Sequence, residues 1–403
     1  MAGKVLVHVG TPKTGTSYLQ DVLFRNRVRL RTHAINYPGA RFDAHFLGAL
    51  DLLGLRWGGL EAEAIGAWDD LAASVRKMPG TAIISHEILA TATRAQAARA
   101  LESVGHGSGA EVHVLVSARD LVRQIPAEWQ ENIKHRARLS YADFLARIQD
   151  PERNSRIGSW FWGVQEIPDI LARWSADLPP ERVHVVTVPP PGGPDVLWQR
   201  FSQAFGLDGL DLDLDAERVN PSMGVPETAL IRRINRRANQ ELPPADYRPL
   251  VRELLAHKTL SARTKSPRLA LPPEVHPWAQ ELSEQWIAEI ERRGYDVIGD
   301  LSDLRGAPAV TEFADPDRPR ERQVADAAID AVKALLLENA RMRQEEERLR
   351  GELHDAHLAL ERSYLRPTYR LRSKVVRRLE NSPPGRGALK AYRAVRGRSS
   401  RSA

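Results

Sequence analysis

The 403-residue sequence contains no cysteine. This absence excludes disulfide bonds, thiolate zinc sites and cysteine nucleophiles, and it gives no indication of secretion. Long hydrophobic runs are missing as well, since no apolar stretch approaches the ~20 residues that a membrane-spanning helix requires. The first predicted strand begins at Lys4, so no signal peptide is expected before it. We therefore expect a soluble, cytoplasmic protein.

Negative charge is almost absent from the C-terminal end. Residues 363–403 contain 12 Lys and Arg but a single acid, Glu380, which gives this tail a net charge of +11. The whole chain carries only +6, so the rest of it sums to −5. The basic character therefore belongs to the tail, and a nucleic-acid partner for the chain as a whole is not favoured.

A loop rich in small residues follows the first predicted strand. Residues 4–9 are mostly β-branched or aliphatic, and the segment after the loop has the apolar spacing of a helix. A strand, a small-residue loop and a helix N-terminus together form a cradle for phosphate, because backbone N–H groups converge on the anion there. Gly10 and Gly15 have the spacing of the two P-loop glycines, but Thr16 stands where that motif has lysine.

The residues of this loop resemble the 5′-phosphosulfate loop of the sulfotransferases that use 3′-phosphoadenosine 5′-phosphosulfate (PAPS). Six consecutive positions carry the match: Pro12, Lys13, Thr14, Gly15, Thr16 and Ser17. The resemblance implies that they bind the 5′-phosphate of the cofactor and that Lys13 neutralises the oxygen released when the S–O bond breaks. Because a cationic side chain does this, no metal ion is expected. A glycine-rich turn that binds nothing is the alternative.

Strand-like segments alternate with helical segments through the first 205 residues. Strands are predicted at 4–9, 81–84, 111–117 and 182–188, with a short extended piece at 32–37. This alternation predicts an α/β fold with a parallel sheet flanked by helices, of the P-loop type, in a domain that spans residues 1–300. Ligands of such sheets bind beyond the carboxyl ends of the strands.

A second cluster follows the 111–117 strand. Residues 114–124 resemble another signature of the same family, in which a strand delivers an arginine, and often a serine eight residues later, to the 3′-phosphate. The resemblance places Arg119 at the arginine position, where a planar guanidinium suits bidentate phosphate recognition. The serine position holds Ala127, and Arg123 is predicted to compensate for the lost contact. A surface ion pair with Asp120 is the alternative.

The 81–84 strand ends at His86 and Glu87, where related enzymes place their catalytic base. Transfer of a sulfuryl group to a hydroxyl needs a base within hydrogen-bond reach of the acceptor proton. Either side chain fits this role, and we favour Glu87. His45 is a weaker candidate because it lies on an apolar helix.

Residues 218–239 resemble the segment that covers the cofactor in bacterial members of the family. Three residues are predicted to reach the nucleotide, with a helix-capping loop as the alternative: Arg218, Asn220 and Ser222. Four aromatic residues either line the acceptor pocket or, as we favour, pack in the core: Trp129, Trp160, Phe161 and Trp162.

The C-terminal third is predicted to contain a charged, proline-containing linker (301–322), a long helix (323–363) and a basic tail (364–403). A heptad pattern can be drawn along the helix, with a at 325, 332, 339, 346, 353 and 360 and d at 328, 335, 342, 349 and 356. The pattern favours a short coiled coil and a homo-oligomer, although Asn339 and Glu346 interrupt the seam. A solvated single helix is the alternative.

The tail has the pattern of a basic amphipathic helix followed by a disordered end. Its apolar face consists of Leu371, Val375, Val376 and Leu379. A helix of this kind can lie on an anionic membrane surface, so peripheral attachment at the inner membrane is predicted. Nucleic-acid contact and disorder are the alternatives, and residues 382–403 are predicted to be disordered.

Together, these patterns favour a PAPS-dependent sulfotransferase that acts on a hydroxyl group, with a glycan or glycolipid as the predicted acceptor. A P-loop kinase or NTPase is one alternative, against which Thr16 argues. A catalytically idle adaptor is the other, and Ala127 is the residue that suggests it.

Overall fold

The structure, a computed structural model, describes residues 2–190, 194–215, 222–365 and 367–382, and residues 384, 385, 387 and 390. Two compact units are distinguished, Met1–Val332 and Lys333–Ala403. The first contains the sheet and the candidate site.

A six-stranded, all-parallel sheet forms the centre of the first unit. Its strands are β1 (Lys4–His8), β2 (Ile35–Asn36), β3 (Thr81–Ser85), β4 (Glu111–Ala118), β5 (Val183–Thr187) and β6 (Asp296–Ile298). They lie in the order β2-β3-β1-β4-β5-β6. This confirms the predicted α/β class with a parallel sheet flanked by helices.

The helices of the described residues connect and follow these strands. They are α1 (Thr16–Arg25), α2 (Arg27–Thr32), α3 (Ala44–Leu53), α4 (Glu61–Ala64), α5 (Ala67–Lys77), α6 (Arg94–Ser103), α7 (Leu121–Lys134), α8 (Tyr141–Gln149), α9 (Arg156–Gln165), α10 (Ile167–Trp174), α11 (Pro194–Phe205), α12 (Val225–Ala238), α13 (Pro244–Tyr247), α14 (His276–Arg293), α15 (Glu321–Leu365) and α16 (Pro367–Glu380). A π-helical segment (Arg248–Thr259) follows α13.

Both faces of the central strands are buried, which explains their nearly continuous apolar sequences. On one face of the sheet, strand residues such as Leu6, Ile83 and Leu115 pack against helices α1 and α11. The helices contribute Leu23 and Phe201 to this core layer. Because successive side chains of a strand point to opposite faces, the intervening valines of β1 and β4 are buried on the other side.

The strand order places the carboxyl ends of β3, β1 and β4, which carry predicted site residues, side by side. β1 lies between β3 and β4, with His8 in register with Ser85 on one side and Leu115 on the other. The chain after β1 leads to β2 and β3 on one side and later returns to β4 on the other. This reversal is the position at which open α/β sheets bind their ligands.

The segment 301–322, which the sequence predicts as a linker, is packed as part of the first unit. Leu304 is buried, and Asp317 accepts hydrogen bonds from the backbone N–H groups of Tyr141 and Ala142. Arg232 forms an ion pair with the same carboxylate. The compact unit therefore extends to Val332, well beyond the predicted boundary at residue 300.

The second unit, Lys333–Ala403, contains most of α15 and the whole of α16. No described helix combines the length and apolar character that crossing a bilayer would require.

Candidate active site

The segment from Val9 to Gly15, called the Lys13 loop below, joins β1 to α1. Three of its residues adopt left-handed backbone conformations: Gly10 (φ 106°), Lys13 (φ 65°) and Gly15 (φ 90°). At Gly15 an added Cβ would lie 2.7 Å from Cδ2 of Leu197, so α11 closes against the loop at this point. The backbone conformation favours glycine at position 15, and a larger residue would also displace the end of the Leu197 side chain.

A chain of buried hydrogen bonds fixes the Lys13 loop to the strands beneath it. His8 places Nδ1 2.8 Å from Oγ of Ser85 and Nε2 3.1 Å from Oγ of Ser117. The backbone N–H of Ser117 donates to the carbonyl of Gly10, and the N–H of Thr11 donates to the carbonyl of Ser117. Burial lowers the pKa of His8 to about 4, so the ring is neutral.

The hydroxyl of Thr14 points into this network and not toward a ligand. It donates to the carbonyl of Thr11 and lies 2.6 Å from Oγ of Ser117. This hydroxyl is therefore engaged within the protein, while the predicted contact of Thr14 with the 5′-phosphate stays a prediction. Thr14 retains its backbone N–H group as a donor for a ligand.

The backbone N–H groups of residues 13–17 have no hydrogen-bond acceptor within the described part of the chain. The hydroxyls of Thr16 and Ser17 are equally without a partner among the described residues. Thr16 begins α1, so these donors combine with the positive end of the helix dipole. The arrangement is a set of converging donors suited to an anion.

The ammonium group of Lys13 is directed to α7 and not to open solvent. Its Nζ lies 2.7 Å from Oε2 of Glu131, and the side chains are 17% and 18% exposed. Burial acts to raise the pKa of Glu131, but Lys13, His135 and Lys134 lower it well below its usual range. The carboxylate is therefore ionised and holds Lys13 beside the loop.

Further cations surround Glu131. Lys134 Nζ lies 3.9 Å from its carboxylate and Arg252 Nη2 lies 3.5 Å away. Burial lowers the pKa of Lys134 to about 8. Burial also raises the pKa of Glu128, one turn earlier on α7, to about 7. The charge balance beside Lys13 is positive and depends on pH near neutrality.

Arg119 lies on the same side of the sheet as Lys13. Its Nη1 donates to the backbone carbonyl of Lys13 at 3.1 Å, while its buried Nε has no partner among the described residues. Burial lowers the pKa of Arg119 to about 10, which leaves the guanidinium charged at neutral pH. Gln124 of α7 donates to the carbonyl of Pro12 and supports the loop from that helix. The structure thus brings Arg119 to the loop, and its predicted contact with the 3′-phosphate stays a prediction.

Arg123 is engaged by the protein on every side. Its Nε binds the Asp120 carboxylate, Nη1 donates to the carbonyl of Pro189 at 2.8 Å, and Nη2 donates to the carbonyl of Val188 at 3.1 Å. All three nitrogens of the guanidinium are used. Three of the five guanidinium N–H donors are thereby used within the protein, and the predicted compensation for Ala127 stays a prediction for the remaining two.

Glu87 and His86 lie at the end of β3, next to the Lys13 loop. A Cβ on Gly10 would lie 2.9 Å from the Cα of Glu87, and Gln20 of α1 donates to Oε2 of Glu87 at 2.9 Å. Burial acts to raise the pKa of Glu87, but His86 and Gln20 lower it, so the carboxylate is ionised. Burial lowers the pKa of His86, whose Nδ1 accepts from the N–H of Ile88 and whose Nε2 lies 4.0 Å from Glu87. His86 is therefore neutral and carries its proton on Nε2.

Half-buried aromatic rings contact one another between the Glu87 region and the Glu131 region. Phe46 lies 5.0 Å from the ring of His86 and 5.8 Å from that of Trp57. Trp57 in turn contacts Trp160 and His135, both at 6.4 Å between centroids. This set of rings, called the aromatic wall below, runs from His86 to His135, which contacts Glu131. Trp160 belongs to it, whereas Trp129, Phe161 and Trp162 are buried in the core.

The remaining predicted site residues are less informative. Arg218 and Asn220 lie outside the described residues. Ser222 is exposed, next to Met223, whose N–H donates to Gln130. His45 is buried with Nε2 2.6 Å from the carbonyl of Pro38, which indicates packing. Among the described residues, no three His, Cys, Asp or Glu side chains are grouped to hold a metal ion.

Sequence reasoning missed the charged residues that surround Lys13. Glu128, Glu131 and Lys134 are spaced by three along α7, a helical spacing that places them on one face of the helix. That spacing was the available signal. Arg252 comes from a distant segment, and no local pattern connects it with the loop.

The site therefore combines backbone N–H donors, two partly buried cations, Lys13 and Arg119, and the ionised carboxylate of Glu87 at adjacent strand ends. These groups can bind a polyanion and can accept a proton beside it. Comparison of the chain with family models, curated proteins and solved structures found no match.

Proposed function

We propose that the chain is a P-loop-type sulfotransferase that transfers the sulfuryl group of PAPS to a hydroxyl acceptor. The observation that carries the proposal is that the N–H groups of residues 13–17, in the Lys13 loop and the first turn of α1, have no acceptor in the described part of the chain. Lys13 and Arg119 lie beside these donors. The loop also has the six-residue sequence that resembles the PAPS-binding loop.

The residues present fit a nucleotide with two phosphate positions. The N–H groups of residues 13–17 and the hydroxyls of Thr16 and Ser17 would hold the 5′-phosphate. Arg119 would hold the 3′-phosphate, because its buried Nε lacks a partner among the described residues. PAPS, when bound, supplies an activated sulfuryl group on its 5′-phosphate.

Lys13 stabilises the charge that develops on the leaving phosphate. When the acceptor oxygen bonds to sulfur, the bond between sulfur and the phosphate oxygen breaks and its electron pair remains on that oxygen. An ammonium beside this oxygen would lower the barrier, because its positive charge offsets the negative charge that develops there. Glu131 positions the Lys13 ammonium. The Lys13 side chain would reach the phosphate by replacing part of its contact with Glu131 by a contact with the phosphate.

Glu87 is the proposed proton acceptor. The carboxylate is ionised and has free acceptor capacity beyond its hydrogen bond with Gln20. His86 has its Nδ1 lone pair engaged by the N–H of Ile88, so it is better suited to donate from Nε2. In this assignment Glu87 takes the hydroxyl proton and His86 orients it.

The aromatic wall favours a carbohydrate-like acceptor. Half-buried rings such as Phe46, Trp57 and Trp160 offer flat apolar surface next to polar groups, which suits a ring that carries hydroxyls. The basic, amphipathic α16 supports attachment of the enzyme to an anionic membrane surface, where a glycolipid acceptor would be presented.

Calorimetric titration tests the nucleotide assignment. The product 3′-phosphoadenosine 5′-phosphate and ATP are each titrated, with and without Mg²⁺, into the wild type, Lys13→Ala and the exposed control Lys77→Ala. We expect the product to bind without Mg²⁺, Lys13→Ala to weaken binding at least ~10-fold, and Lys77→Ala to have no effect.

Two outcomes would overturn the proposal. Tighter, Mg²⁺-dependent binding of ATP would favour a P-loop kinase or NTPase. Binding of neither nucleotide by a folded wild type would favour an idle adaptor.

A further inference from the structure

One face of α15 exposes a regular series of large apolar side chains. The members are Leu335, Met342, Leu349, Leu353 and Leu360, with exposed fractions between 40% and 59%. They recur at intervals of seven or four residues, which places them on the a and d positions of one heptad frame. Such an apolar stripe on a helix, interrupted only at Asn339 and Glu346 between residues 335 and 360, needs an explanation, because exposed leucines scattered singly do not align in this way.

We propose that residues 335–360 form a parallel, in-register, two-stranded coiled coil with a second copy of this chain. The segment has 26 residues and a length of ~39 Å. That is nearly four heptads, enough for a dimer whose population depends on protein concentration.

The charges that flank the stripe select the partner. The g positions of three successive heptads are Glu338, Glu345 and Glu352, and the e positions that follow each by five residues are Arg343, Arg350 and His357. In a parallel dimer each g residue faces the e residue five positions later in the other chain. Two copies of this helix therefore match glutamate with arginine in two heptads and with histidine in the third.

The same charges disfavour the antiparallel arrangement. In that geometry g faces g and e faces e, so glutamates would meet glutamates and arginines would meet arginines. Like charges at close range cost energy, which makes the parallel dimer the favoured one.

The contacts within one chain leave this interface available. Arg343 has no ion-pair partner within the described part of its own chain. Glu345 binds Arg348 of its own helix, but both side chains are about half exposed, and such pairs contribute little. Glu345 can therefore add Arg350 of the second copy at small cost, because the pair of Arg350 with its own Glu346 is also between exposed side chains and contributes equally little.

Two polar residues on the a positions fit the same dimer. An asparagine at a, here Asn339, is the residue that fixes register and favours two strands over three. The layer formed by Glu346 is weaker, since the carboxylates of the two copies of Glu346 would meet across the seam. Its own Arg350 lies 2.6 Å away and draws the carboxylate toward the e side.

Sedimentation equilibrium of the full chain tests the association. We expect a dimer at micromolar concentration and a monomer for the double variant Leu349→Glu/Leu353→Glu. The control Leu337→Glu changes a residue that is 62% exposed at an f position, on the outer face, and should remain dimeric. Circular dichroism of each variant confirms that the helix and the first unit are folded.

The absence of cysteine allows a clean test of orientation. Leu335→Cys, near one end of the seam, should form an interchain disulfide under mild oxidation, because the two copies of residue 335 meet only in a parallel, in-register pair. Leu337→Cys should not crosslink. A monomeric wild type, a trimer, a dimer unaffected by the seam substitutions, or no crosslink at residue 335 would each overturn the proposal.

Discussion

Lys13 and Glu131 form a short ion pair of 2.7 Å between the candidate anion-binding loop and helix α7. Both side chains are more than four-fifths buried. An incoming phosphate must therefore compete with a carboxylate that already holds the ammonium. This competition governs how the site responds to substitution and to pH.

Replacement of Glu131 by glutamine should strengthen anion binding. The substitution removes one negative charge next to Lys13, and at an effective dielectric of about 20 a unit charge ~4 Å away is worth ~4 kcal/mol, so the affinity should rise by more than ~10-fold. Titration with 3′-phosphoadenosine 5′-phosphate measures the change. The unliganded variant should also melt at a lower temperature, because Lys13, Lys134 and Arg252 lose their shared counterion. Glu102→Gln, an exposed change of the same charge, is the control, and equal affinity of the two variants would contradict the competition.

Glu128 should make anion binding weaker as the pH rises through about 7. Burial raises the pKa of this carboxyl to about 7, so it is neutral below that pH and adds a negative charge beside Lys13 above it. We expect the affinity for 3′-phosphoadenosine 5′-phosphate to fall about 5-fold between pH 6 and pH 8. Glu128→Gln should flatten this part of the profile. An unchanged profile in that variant would assign the pH dependence to another group.

Gly15→Ala should destabilise the first unit by roughly 2–4 kcal/mol, because a left-handed backbone and a clash with Leu197 act together. Gly54, at φ 63°, has a similar backbone conformation but open space around its Cα. Gly54→Ala should therefore cost only about 1 kcal/mol. Urea denaturation of both variants measures the difference, and equal losses would show that α11 does not constrain the loop.

His8 should make the fold less stable in acid. Its pKa is lowered by burial from 6.5 to about 4 in the folded state, so the unfolded chain binds the proton first as the pH falls. The linked loss is ~3 kcal/mol, and it develops from pH 6.5 downward until about pH 4. Denaturation of His8→Gln across this range should show a smaller slope than the wild type. His33→Gln, at an exposed position, should retain the wild-type slope.

Glu346→Leu should tighten the proposed dimer. It replaces the weakest layer of the seam by an apolar pair, and burial of two leucines contributes roughly 3 kcal/mol to association. Sedimentation equilibrium would then show dimers at a lower protein concentration. If the variant associates no more strongly than the wild type, residue 346 does not lie in the seam.

The long buried strands could be predicted from the sequence, whereas the short edge strand β6 could not. β4 is an eight-residue, nearly continuous apolar run, a pattern that few other structures produce. β6 has three residues and only Val297 and Ile298 to mark it, and it pairs with β5 alone. Its position depends on the long-range contact with β5, which local composition does not encode.

The candidate site shows the same limit. Lys13 and Arg119 stand next to recognisable strand ends, so their proximity follows from the order of the parallel strands. The capture of Arg123 by the carbonyls of Val188 and Pro189 depends on where the chain turns after β5. Asp317 fastens the segment that was predicted as a linker through partners 85 to 176 residues away. Contacts of this range appear only after folding.

The hydrogen bonds from Ser85 through His8 to Ser117 and Thr14 join three strands to one loop. The donors of that loop are consequently held in place by folding itself, before any anion arrives. Arrival of a ligand then requires little rearrangement, and the speed of capture should be set by diffusion and by the positive field around Lys13.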